Sequence, residues 1–72
     1  MPKAEIHFHS RGPSGNVYAI MSMVRDQMRR EHRPTDWNNA WERIQKTDYA
    51  GAIEIMRELV DLIDDDGVYK ND

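Results

Sequence analysis

The chain has 72 residues, 10 Lys and Arg against 13 Asp and Glu, a formal charge of −3, and 39% apolar residues. That is one small domain, with an expected ordered core over about 4–67 and a tail over 68–72. No apolar run approaches the ~18–20 residues of a membrane span. The absence of cysteine excludes a disulfide framework and a thiolate zinc site, and the negative charge argues against bulk binding to nucleic acid.

A chain this short buries only about 60% of its unfolded surface, so its stability calls for dense helix packing or for burial against a second chain. The first residues lack an apolar stretch of the signal-peptide kind. With no cysteine, the expectation is a cytoplasmic protein that needs no cofactor.

Residues 4–9 alternate, with Ala4, Ile6 and Phe8 on one side and Glu5, His7 and His9 on the other. This is the period of a half-buried strand. Gly and Pro punctuate the loop over 10–16, where Ser14 or Asn16 can cap the next helix.

A first helix is expected from Asn16 to His32, with Val17, Ile20, Met21, Val24 and Met28 forming one apolar stripe. Arg25, Arg29, Arg30 and Arg33 suit the negative end of its dipole, and Pro34 stops it. A second helix begins at Thr35 or Asp36 as N-cap and ends near Lys46, with Trp37, Ala40, Trp41 and Ile44 on its apolar face. Thr47 and Asp48 cap a third, which carries Tyr49, Ala52, Ile53, Met56, Leu59, Val60 and Ile63. Asp64, Asp65, Asp66 and Gly67 end it as a solvated, fraying terminus, with Gly67 as the left-handed stop.

The fold class is therefore mainly α (α+β), one N-terminal strand followed by three helices. A lone strand needs a partner for its backbone groups. Val68 and Tyr69 could return to it, it could lie as an arm on the helices, or it could pair with its copy in a second chain. The last is preferred, because an alternating strand suits antiparallel pairing across a two-fold axis. A homodimer joined at that strand or along the helices is expected, with Ile6, Phe8, Trp37 and Trp41 as interface residues.

Two candidate sites follow. His7 and His9 point to one strand face, as a metal pair would, but two imidazoles lack a third ligand, so no metal site is assigned. The loop Ser10-Arg11-Gly12-Pro13-Ser14-Gly15-Asn16 stands between a strand and a helix N-terminus, the layout of an anion site. Arg11, Ser14, Gly15, Asn16, His7 and His9 are its candidate residues, and a phosphate or nucleotide its natural guest. The loop matches neither phosphate-loop fingerprint, and a tight turn with a helix cap explains the same residues.

The acidic run over 64–66 is not an EF-hand, because the ligand spacing fails. Residues 1–36 carry six bases and four acids, +2, and residues 37–72 carry four and nine, −5. Such polarity could steer a partner or hold two subunits together. The close junction of the second and third helices suggests a helix-turn-helix, but Glu54, Glu58 and Asp61 beside a single Arg57 would repel phosphate. No residues are assigned a catalytic role: there is no cysteine nucleophile, no HExxH, and Ser14 does not sit in GxSxG.

The strand, the turn Gly12-Pro13-Ser14-Gly15-Asn16, the helix start Asn16-Val17-Tyr18-Ala19-Ile20-Met21 and the later Thr47-Asp48-Tyr49 resemble a group of small proteins of bacteria and their phages. The resemblance runs from about Ile6 to Ile63. That group has no assigned activity, so it implies an accessory protein that acts by binding. The first functional expectation is a non-catalytic protein that binds another macromolecule. The alternative is a small-ligand protein that holds an anion or nucleotide on the loop over 10–17.

Overall fold

The computed structural model describes residues 3–12 and 15–69. The roles expected of Ser14 fall outside the described residues. The alternating segment forms β1 (Glu5–Phe8). Its pleat puts Phe8 in the core and Ile6 half-buried, while Glu5 and His7 face solvent. β1 pairs in parallel with β2 (Asp61–Asp64), Glu5 opposite Asp61 and Phe8 opposite Asp64. Parallel strands need a crossover between them. Here it consists of α1 (Val17–Arg30), α2 (Pro34–Ile44) and α3 (Tyr49–Met56). The result is the expected mainly helical α+β domain with a second strand that the sequence reading did not contain.

That strand replaces the end of the third helix. The helix expected to reach Ile63 stops at Met56. Met56, Leu59, Val60 and Ile63 keep a helical spacing, but Val60, Leu62 and Asp64 also alternate, and from 60 onward these three are the buried positions, with Ile63 only half-buried. Two periods compete over the same residues, and the unpaired edge of β1 decides between them. The Asp61 N–H donates to Ala4 O at 2.8 Å and the Asp65 N–H to Phe8 O at 2.9 Å. β1 thus finds a partner inside its own chain, and that partner is not Val68-Tyr69. Asp64 is not a fraying helix end but a buried strand residue.

The helix boundaries follow local chemistry. The Asn16 side chain caps α1 by accepting from the Tyr18 N–H. α1 ends at Arg30, short of the expected His32, because His32 takes φ 58° and turns the chain. The Arg33 N–H then donates back to Met28 O at 2.8 Å, closing the helix end. Pro34 does more than stop α1. It opens α2, and neither Thr35 nor Asp36 is the N-cap. A proline has no N–H to satisfy and its fixed φ suits the first turn, so Arg33 serves as a cap without a side-chain bond. Asp48 caps α3 as expected, accepting from the Gly51 N–H at 2.9 Å.

Phe8, Ile20, Val24, Met28, Ile53, Met56, Val60 and Leu62 form the sealed centre of the core. β1, α1, α3 and the segment over 59–64 supply this centre, and α2 closes the wider core around it with Ala40 and Ile44. The radius of gyration is 11.3 Å, the value of about 11 Å expected for a compact chain of this length.

His32 is exposed, and its left-handed backbone is strained for a residue with a Cβ. His32→Gly is therefore expected to raise unfolding stability by about 0.5–1 kcal/mol in denaturant titration, after the entropy cost of glycine is deducted.

Candidate functional site

Parallel pairing brings the carboxyl ends of β1 and β2 side by side. The turn after β1 and the acidic run after β2 therefore meet. Asp64 joins them. Its Oδ1 accepts from the N–H of Ser10 at 3.1 Å and of Asp66 at 3.0 Å. Its Oδ2 accepts from the N–H of Val68 at 2.9 Å and of Tyr69 at 3.0 Å. The side chain is only 9% exposed as a residue. Burial alone would raise its carboxyl, but the N–H groups of Tyr69, Ser10 and Asp66 outweigh that and hold it well below the usual carboxylate range. The Ser10 hydroxyl lies against the same carboxylate, short of hydrogen-bond geometry.

The turn is held from the other side by α3. The Tyr49 hydroxyl donates to Gly15 O at 2.6 Å, and its ring packs on Tyr69 with centroids 5.1 Å apart. Burial, then Tyr69 and Asp64, push the Tyr49 hydroxyl pKa up. A Cβ on Gly15 would stand 2.3 Å from His9 O and 2.5 Å from Ser10 O. Only glycine fits that approach. Its N–H is spent on Gly12 O at 2.9 Å.

The candidate residues on β1 meet carboxylates. His7 Nδ1 lies 2.8 Å from Asp65 Oδ1, and Nε2 lies 2.6 Å from Glu5 Oε1. Hydrogen bonds to Asp65 and then Glu5 raise the His7 pKa. His9 Nδ1 stands 3.4 Å from Asp66 Oδ1. The backbone N–H of Arg11 donates to Asp66 Oδ2 at 2.9 Å. The structure places His7, His9, Arg11 and Gly15 near one another, around three aspartates. An incoming anion would meet Asp64, Asp65 and Asp66, and would find the N–H groups of Gly15, Tyr18 and Arg11 already bonded. Among the described residues no group of three or more His, Asp or Glu is arranged to hold a metal.

Arg57 is the second residue that the sequence reading placed differently. Its side chain is 9% exposed, and it does not lie on an open helix face. Nε donates to Leu62 O at 3.4 Å, Nη1 to Glu54 at 2.8 Å, and Nη2 to Tyr69 O. It covers the outer side of β2 and ties the tail to it.

A different surface is open. On α2 the Trp37 and Trp41 rings stack with centroids 6.5 Å apart and planes 25° apart. Trp37 packs partly into the core, and Trp41 remains 37% exposed. Tyr18, on α1, is 70% exposed. Two clefts of about 440 and 450 Å³ share Tyr18, Met21 and Trp41. The first runs between α1 and α2 past Ser22, Arg25 and Trp37, and the second reaches Ile44 and Tyr49. Arg25 lines the first cleft, its Nε 3.6 Å from Asp26 Oδ1. Of the other expected interface residues, Phe8 is a core side chain and Ile6 is half-buried against the core.

Comparison with protein-family models, with curated proteins and with solved structures gives no match. None of the described helices is long and apolar enough to cross a membrane.

Asp64→Asn would set an NH₂ group against two backbone N–H groups. It is expected to lower unfolding stability by about 3 kcal/mol in denaturant titration, since each bond to the charge contributes about 1.5 kcal/mol or more. His7 predicts the opposite pH behaviour to a carboxylate. Its pKa is raised by folding, so its contribution is complete below about 6.5 and is lost as pH rises through the folded value. His7→Gln should therefore remove one downward step in melting temperature between mildly acidic and alkaline pH.

Proposed function

We propose that this chain is a non-catalytic interaction protein that binds a segment of another protein in the cleft between α1 and α2. The carrying observation is the exposed aromatic group of Tyr18, Trp41 and the edge of Trp37, beside the half-exposed guanidinium of Arg25. Stacked indoles give a large, rigid contact area at small entropy cost, which is why aromatic residues dominate binding hot spots. Arg25, held loosely by Asp26 at 3.6 Å, offers the rest of its guanidinium to a carboxylate of the partner. The fitting occupant is an apolar segment with one carboxylate, its apolar side chains on Tyr18, Met21 and Trp41 and its carboxylate on Arg25. This reading agrees with the accessory role implied by the resemblance to small bacterial and phage proteins.

The same proposal places the protein in the cytoplasm as a homodimer. A 72-residue domain with a two-stranded sheet gains more from burial against a copy of itself than a larger domain would. The alternative, an anion on the turn over 10–17, is disfavoured by the carboxylates of Asp64, Asp65 and Asp66 that line it.

An array of peptides that combine aromatic or aliphatic anchors with one flanking Asp or Glu tests the cleft. Peptides selected by the native chain are expected to lose about 30-fold in affinity to Trp41→Ala, the scale of a hot-spot residue, and to weaken with Arg25→Gln. Equal binding by the native chain and both variants would contradict the cleft.

A further inference from the structure

The two edges of the sheet are not alike. Ala4 O and Phe8 O accept from β2, so the alternation of a parallel ladder turns Ala4, Ile6 and Phe8 toward β2. It turns the backbone N–H and C=O of Glu5 and His7 to the opposite edge. Among the described residues nothing in the chain bonds them there. The outer side of β2 is closed, because Arg57 Nε reaches Leu62 O and the Asp64 carboxylate gathers the chain over 66–69. One short strand edge is left open, and open edges recruit strands.

Resting on the homodimer reading above, we propose that the occupant of that edge is the same edge of a second copy. The two β1 strands then run antiparallel about a two-fold axis at Ile6, and the sheet becomes four-stranded in the order β2-β1-β1-β2. Charge selects this register. Antiparallel bonding requires that outward residues oppose outward residues. Centring on Glu5 would oppose two glutamates, and centring on His7 would oppose two histidines, each a like pair. Centring on Ile6 sets Glu5 against His7 of the partner subunit, twice. Within one chain His7 already contacts Glu5, so the four groups alternate in sign around the axis. Ile6, half-buried on the core side, meets its own copy. Two residues on each strand exchange four hydrogen bonds in this arrangement.

Native mass spectrometry and sedimentation of the native chain and of Glu5→Pro, with circular dichroism as the fold control, test the edge. Proline at 5 removes an outward N–H and none of the bonds to β2. The native chain is expected to dimerise, and Glu5→Pro to stay folded with self-association about 30-fold weaker, the loss of two symmetry-related bonds. A folded Glu5→Pro that dimerises as the native chain does would overturn the edge while leaving the homodimer standing. A native chain that is monomeric at millimolar concentration would overturn both. The register has its own readout, since the chain contains no cysteine. Ile6→Cys is expected to form an interchain disulfide under mild oxidation, because facing residues of a non-hydrogen-bonded pair lie at bridging distance. Cross-linking by His7→Cys in place of Ile6→Cys would contradict the register.

Discussion

One carboxylate closes the strand-turn junction. Asp64 ends β2 and accepts four backbone N–H groups from two segments far apart in sequence. A loop packed at the end of a small sheet carries polar backbone groups that water can no longer reach. Asp64 satisfies four of them at once. The Tyr49 hydroxyl on Gly15 O and the Arg57 guanidinium on Leu62 O and Tyr69 O do the same for carbonyls. Three side chains thereby supply what regular secondary structure supplies elsewhere. Folding favours the ionised form of Asp64, so its contribution is complete at neutral pH and is lost progressively as pH falls through the ordinary carboxylate range toward the lower folded value.

The same junction accounts for the uneven charge of the chain. The basic N-terminal half and the acidic C-terminal half meet within one molecule. His7 and His9 face Asp65 and Asp66 across the two halves, while Arg43 forks onto Glu58 inside the acidic half with bonds of 2.7 and 2.9 Å. Exposed pairs of this kind stabilise little individually. Asp64, Asp65 and Asp66 surround the turn with negative charge, which turns a strand-turn-helix of phosphate-binding layout into a poor host for anions. The exposed aromatic surface lies elsewhere, along the cleft between α1 and α2.

Much of this was legible in the residues. The alternation over 4–9 marked β1, the stripes of Val17 to Met28 and Trp37 to Ile44 marked α1 and α2, and Asn16 and Asp48 announced the caps of α1 and α3. Trp37 and Trp41 were legible as a pair on one helix face, but not which of the two would stay exposed. The stretch over 57–64 was misread because it satisfies two periods at once, and only the need of β1 for a partner separates them. That need is a tertiary fact with no local signal. Asp64 was hidden for the same reason: beside Asp65 and Asp66 it looks like a solvated run, and burial distinguishes it only once β2 exists. The roles of Arg57 and Tyr49 likewise depend on carbonyls that the fold brings to them. His32 in a left-handed turn had a faint signal in the proline two residues later, which forces the chain to restart.

Amide hydrogen exchange followed residue by residue in the native chain tests the place of Asp64 most directly. The N–H groups of Ser10, Asp66, Val68 and Tyr69 lie outside any helix or strand, where exchange is ordinarily fast. The account predicts that all four are protected to the level of the β1–β2 ladder amides of Asp61 and Asp65. Exchange of these four at the rate of an open loop, with the ladder amides still protected, would contradict it.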